Sequence, residues 1–362
     1  MPNASPTVQP TDILKFRYIV AYQVDGLQSP PTGPILLYSN EAEGKKISLT
    51  GLSHENWNHI DTVLTIANIT LTSLLQGKTW DLNEFASFVS STTEDRVRRF
   101  GSAGAFLMVE ASHEEEAARI GEIGYSDQRD YCLALPNGFR DEVETRHKTF
   151  LERSQSFLSF AMPSVCGFLP AGSCIVANHP SGKPLYVMTF SMNARPSILK
   201  PIPADGPELF ATLFQHSVEL EYFQTAFRLT AGSALNSRDD LRAFLFASIA
   251  LEVFVSKLSS QFAKQLDGLK EKDHSTKIHA HLNRLRKDGK EHVLSYKFAR
   301  VSSYLALDNL DEIIDEFDRS NKCRNDIVHG GDFDEARLPT TKVREWLGEL
   351  VRLYITHQDQ PA

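Results

Sequence analysis

Arg324, Asn325 and His329 fall in one short run near the end of the chain, Arg324-Asn325-Asp326-Ile327-Val328-His329-Gly330-Gly331. A forked, permanently charged guanidinium, an amide and a base that titrates near neutral pH are the groups a protein uses to hold a phosphate and move a proton beside it. Their spacing decides whether they can act together. Asn325 and His329 form an i, i+4 pair and can lie side by side on a helix, and Arg324, one position earlier, has an arm long enough to join them.

The element that must carry them is a helix. Upstream, Leu310, Ile313, Ile314 and Phe317 recur at the spacing of a buried helical stripe. Projected at about 100° per residue, Arg324 falls roughly 30° from the centre of that stripe, Asn325 roughly 70° and His329 roughly 110°. Gly330 and Gly331 then end the helix, because glycine tolerates the left-handed conformation that a C-terminus favours. An arginine beneath an apolar stripe is costly unless a partner or a functional cavity meets it. Taken by spacing alone, the plainer reading has a slight edge: a structural arginine bonded to a buried carboxylate, with His329 set against the helix C-terminus.

Resemblance shifts that balance. The string R-N-D-I-V-H, preceded by Phe317-Asp318-Arg319 and followed by Gly330-Gly331, resembles the R-x(4-6)-H signature of the HEPN superfamily, with Asn325 as the polar residue that usually follows the arginine. The Apea-like HEPN domains of bacterial defence and toxin systems are the nearest subset. The segment Phe244 to Phe254, with Ala250-Leu251-Glu252 inside it, resembles the apolar helix with an embedded A-L-E that precedes the signature helix in such domains. The likeness covers residues 206–355.

The resemblance implies metal-independent RNA cleavage by two HEPN domains paired as a homodimer, without cofactor or metal. His329 is then expected to move a proton, Arg324 to hold the phosphate oxygens, and Asn325 to orient the histidine or bond the phosphate. Glu252 is expected to pair with Arg324 and fix its direction, and it is the expected partner of a purely structural arginine as well. The competing expectation is a non-catalytic HEPN module that serves only dimerisation or partner docking.

Length and composition frame these readings. The chain has 362 residues, enough for two domains, and 41% hydrophobic content suffices for a core in each. No stretch is long and apolar enough to span a bilayer, and the polar start, Met1 to Thr11, lacks the pattern of a secretory signal. The four cysteines, Cys132, Cys166, Cys174 and Cys323, show no paired C-x2-C spacing, which fits reduced thiols in a cytoplasmic protein and argues against a zinc ribbon or a disulfide scaffold. A formal charge of −8 counts against a surface that binds nucleic acid everywhere. The charge is uneven: Lys257 to Arg300 holds 11 Lys or Arg against 5 Asp or Glu, and Val301 to Glu335 holds 3 against 10. Two complementary faces of one bundle account for this most simply, and a local phosphate-steering patch is the alternative.

The expected fold is a β-rich α+β domain over residues 1–197, a sensor or a selector of substrate, followed by an all-α HEPN-like bundle over 206–362. Strands are expected at Ile13 to Val24, Gly33 to Ser39, Lys45 to Leu52, Ala105 to Ala111, Val165 to Leu169, Cys174 to Ala177 and Pro184 to Ser191. Helices are expected from His54 to Leu75, at the acidic start Ser112-His113-Glu114-Glu115-Glu116, and from Arg140 to Ser159. Prolines 201, 203 and 207 mark the boundary. Six helical segments follow, Glu208 to Thr230, Arg238 to Leu266, Asp273 to Lys287, His292 to Leu305, Leu310 to His329 and Thr341 to Ile355.

Other constellations are weaker. His274, His279 and His281 suggest a metal, yet two helical positions separated by one residue point their rings about 200° apart, which favours solvated or capping roles. Ser181-Gly182-Lys183 lacks the glycine run of a phosphate loop and reads as a turn.

Overall fold

The computed structural model describes residues 11–30, 34–51, 104–120, 138–178, 184–189, 199–236, 239–269, 275–334 and 338–358. The helix expected from His54 to Leu75, the Ser181-Gly182-Lys183 turn and His274 lie outside these residues. The chain divides into two compact units: Met1–Gln155 with Ser164–Ala211, and Ser156–Pro163 with Thr212–Ala362.

Alternating apolar residues build the first unit. In β1 (Ile13–Asp25), Leu14, Phe16, Tyr18 and Val20 are buried on one side, while Ile13 and Lys15 are exposed. With β2 (Ile35–Asn40), β3 (Lys45–Gly51), β4 (Ala105–Glu116), β5 (Gly167–Asn178) and β6 (Pro184–Thr189) it forms a six-stranded sheet in the order β2-β3-β4-β1-β5-β6. Every pairing is antiparallel. The long helix α1 (Phe139–Ala161) lays Phe139 against Phe16 and His147 against Tyr18. This unit is a β-rich α+β fold.

The acidic run Ser112 to Glu116 does not start a helix, contrary to its reading above; it continues β4. Its partners decide this. Ser112, His113, Glu114 and Glu115 sit opposite Arg17, Phe16, Lys15 and Leu14 of β1, and His113 stacks on Phe16. Lys15 facing Glu114 balances charge across the strands, and Arg146 of α1 reaches Glu115 at 2.5 Å.

The second unit is helical. It comprises α3 (Gln224–Leu235), α4 (Asp240–Gln261), α5 (Ala263–Gly268), α6 (Thr276–Lys287), α7 (Leu294–Tyr304), α8 (Leu310–Val328) and α9 (Thr340–Gln358). The end of α2 (Gly206–Gln215) and the last turns of α1 belong to it as well. The single helix expected from Glu208 to Thr230 is broken by a 3-10 turn, Glu219–Phe223. Side chains three apart eclipse in that geometry, and here it aims Leu220 and Phe223 together into the core. Asp239 caps α4 by accepting from the Arg242 N–H, and Ser275 caps α6 by accepting from the Ile278 N–H.

The core beneath α8 is aromatic. Phe298 of α7 and Phe317 of α8 stack with centroids 3.8 Å apart, and Trp346 of α9 closes over both. The charge asymmetry of this region is two complementary faces: Lys277 of α6 reaches Asp315 of α8 at 2.7 Å, Ser275 bonds Asp311, and Arg284 faces Asp318. Among the described residues no helix is long and apolar enough to cross a membrane.

Candidate functional site

The buried side of α8 runs through Leu310, Ile314, Phe317 and Ser320, and Arg324 is its next member, one turn beyond Ser320. The stripe has turned polar before it reaches the guanidinium. Arg324 Nη2 donates to Glu252 Oε2 of α4 at 2.7 Å, and Nη1 donates to Asn325 Oδ1 at 2.9 Å. The Arg324 side chain is 25% exposed and that of Glu252 39%, so the pair sits at the bundle surface and not in its core. Beside Arg324 a small pocket of about 20 Å³, lined by Ser248, Leu251, Phe317 and Ser320 among others, has room for one water.

His329 follows the last residue of α8 and is exposed. Its own N–H donates to the Asn325 carbonyl at 3.0 Å, that of Gly330 to Ile327 at 3.3 Å, and that of Gly331 to Asp326 at 2.6 Å. The last two contacts make a Schellman cap with Gly330 at φ +75°. The imidazole is thus placed by the backbone ending of the helix. No hydrogen bond or ion pair joins its ring to another side chain among the described residues.

Arg324, Asn325 and Glu252 are therefore brought together, with His329 one turn further along the same helix. The Asn325 amide faces the arginine and not the histidine, so the i, i+4 companionship of Asn325 and His329 is carried by the backbone bond alone.

Three other clusters carry chemistry. His281, read above as solvated or capping, is buried, with Nε2 3.0 Å from Ser295 Oγ, and Ser295 donates to Asp318 Oδ1 at 2.5 Å. These are the residue types of a hydrolytic triad in the wrong order, since the serine proton goes to the carboxylate and not to the imidazole. His281 shares the apolar face of Ile278, Leu282 and Leu285, a signal present in the sequence. His279 instead accepts from Asn283 Nδ2 at 2.7 Å. In the first unit, His113 Nδ1 and His147 Nε2 lie 3.2 Å apart under α1, and burial holds His147 down at about 4. Beside them Tyr22, Asp141, Glu144, Lys148 and Glu152 line a pocket of about 360 Å³, where burial and the neighbouring carboxylates push Tyr22 up to about 12. Among the described residues no three His, Cys, Asp or Glu side chains gather as metal ligands, and Cys166 and Cys323 are free thiols.

No family model, curated protein or solved structure matches the chain.

Proposed function

We propose that this chain is a metal-independent endoribonuclease of the HEPN type that acts as a homodimer in the cytoplasm, as an effector of bacterial defence or a toxin. The observation that carries the reading is the state of Arg324. Its contacts to Glu252 and Asn325 use two of five N–H groups and fix its direction, and the side chain still reaches solvent. That is an arginine aimed in advance at an incoming anion.

The chemistry follows from the residue types. A ribose 2′-oxygen bonds to the adjacent phosphorus as its proton leaves, and the bond from phosphorus to the 5′-oxygen breaks as that oxygen gains a proton. His329 is the group that exchanges these protons near neutral pH, and Arg324 stabilises the charge that builds on the non-bridging oxygens. A second copy across a shared cleft supplies the second imidazole, so that one accepts while the other donates. The first unit, on this reading, senses a trigger or selects the RNA.

A second reading, a non-catalytic dimerisation or docking module, is favoured by the fact that both terminal nitrogens of Arg324 already have acceptors within the chain. The experiment that separates them incubates the purified full chain with RNA in the presence of a chelator, alongside Arg324→Ala and His329→Ala. Cleavage by the parent that falls at least about 100-fold in each variant supports the nuclease. Identical behaviour of all three folded proteins supports the docking module.

A further inference from the structure

The polar groups that meet between α6, α7 and α8 are wired in one direction. Ser295 gives its single hydroxyl proton to Asp318 Oδ1, so its 3.0 Å contact with His281 Nε2 is a donation from the ring. In the neutral imidazole Nδ1 is then an acceptor, and Arg284 Nη2 lies 3.2 Å from it. That same Arg284 nitrogen is 3.6 Å from Asp318 Oδ2, and Nδ1 is 3.7 Å from the same oxygen. Two groups able to carry positive charge therefore converge on one carboxylate oxygen of the helix that bears Arg324.

We propose that His281 is a proton-operated latch on α8: neutral, it bridges Ser295 and Arg284; protonated at Nδ1, it displaces Arg284 and takes over Asp318. A protonated Nδ1 cannot accept, and it would set two cations against each other at hydrogen-bond distance. Arg284 is the one that can leave, because its side chain is 65% exposed while His281 is 8% exposed. Its departure opens the path by which a solvent proton arrives. The charged groups around the ring are Asp318 and Asp315 from α8 and Arg284 and Lys277 from its own helix; α7 presents the neutral Ser295 hydroxyl. Burial outweighs the two carboxylates and keeps the ring below the ordinary histidine range. The neutral latch is the stable one, and the unfolded chain takes up the proton first, so stability declines as pH falls below the ordinary histidine value. Asp318 is six residues before Arg324, about 9 Å along the helix, so acid changes the partner of α8 there, at a cost in stability, without touching the Arg324 ion pair.

The test is a titration of the full chain, labelled with nitrogen-15, by NMR. At pH 8 the His281 ring is expected as the Nε2–H tautomer. Arg284→Ala removes a competing cation and is expected to raise the proton affinity of His281 roughly threefold or more, and Asp318→Asn to lower it by a similar factor. His281→Gln keeps a donor toward Ser295 but cannot titrate, and it is expected to abolish the loss of amide protection that α8 of the parent is expected to show as pH falls below the ordinary histidine value. An Nδ1–H tautomer at pH 8, shifts of the same sign or none in the two charge variants, or an unchanged pH response in His281→Gln would overturn the latch. Arg284 is a surface residue, so Arg284→Ala and His281→Gln decide the matter if Asp318→Asn does not fold. None of these readouts depends on RNA cleavage.

Discussion

Arg324 and Glu252 meet through one N–H···O contact of 2.7 Å across 72 residues of chain, and that contact ties α8 to α4 at the edge of the bundle. A single, partly exposed ion pair contributes little to stability, about 0–1 kcal/mol. Its consequence is directional: it decides where the rest of the guanidinium points.

Glu252→Ala is therefore expected to change unfolding free energy by less than about 1 kcal/mol in urea titrations, while the proposed cleavage of RNA falls by about 10-fold as the guanidinium loses its heading. A stability loss above about 3 kcal/mol would instead mark a buried structural pair.

Arg324→Lys preserves the charge and removes the fork. Its three N–H groups leave one nitrogen and cannot reproduce the planar fork, so the proposed cleavage is expected to fall by about 100-fold in a single-turnover assay while the melting temperature stays close to the parent's.

Gly330→Ala probes the placement of His329. An added Cβ at Gly330 meets nothing within 4 Å, so the whole penalty is conformational, from φ +75°. Stability is expected to fall by about 1–2 kcal/mol. Activity is expected to fall further than that loss explains, because the cap that aims the imidazole has shifted; kinetics at full folding, checked by circular dichroism, separate the two.

Phe317→Ala removes a buried ring stacked on Phe298 beneath α8. The expected cost is about 3–5 kcal/mol, read from the denaturant midpoint.

The first unit has its own pH dependence. Burial favours neutral His147, and between the ordinary value of 6.5 and about 4 the folded chain binds fewer protons there than the unfolded chain. Stability from this group is complete above that window and declines as pH falls through it. His147→Gln is expected to flatten this part of the curve of melting temperature against pH.

The strands were legible where alternation was undisturbed. The tail of β4 was not, because a run of acids looks like a helix start until Lys15 and Arg17 are known to lie across from it. The helix of the signature run was legible from Leu310, Ile314 and Phe317, whereas the pairing of Arg324 with Glu252 was expected only through the resemblance that the helix around Ala250 carries. The heading of Asn325 was hidden, since spacing allows both its i−1 and its i+4 neighbour and only packing chooses. The burial of His281 was legible from the apolar face it shares with Ile278, Leu282 and Leu285, but its partners were not, because Ser295 and Asp318 come from two other helices.

The closing residues of α1 pack inside the helical unit, where Phe157 meets Phe214 and Phe227 edge on and Arg344 of α9 bonds the Pro163 carbonyl. Those residues leave the ribosome before β5 and β6, yet they belong with helices made afterwards. Each unit borrows from both sides of the other along the nascent strand, so neither can be completed from one uninterrupted length of newly made chain.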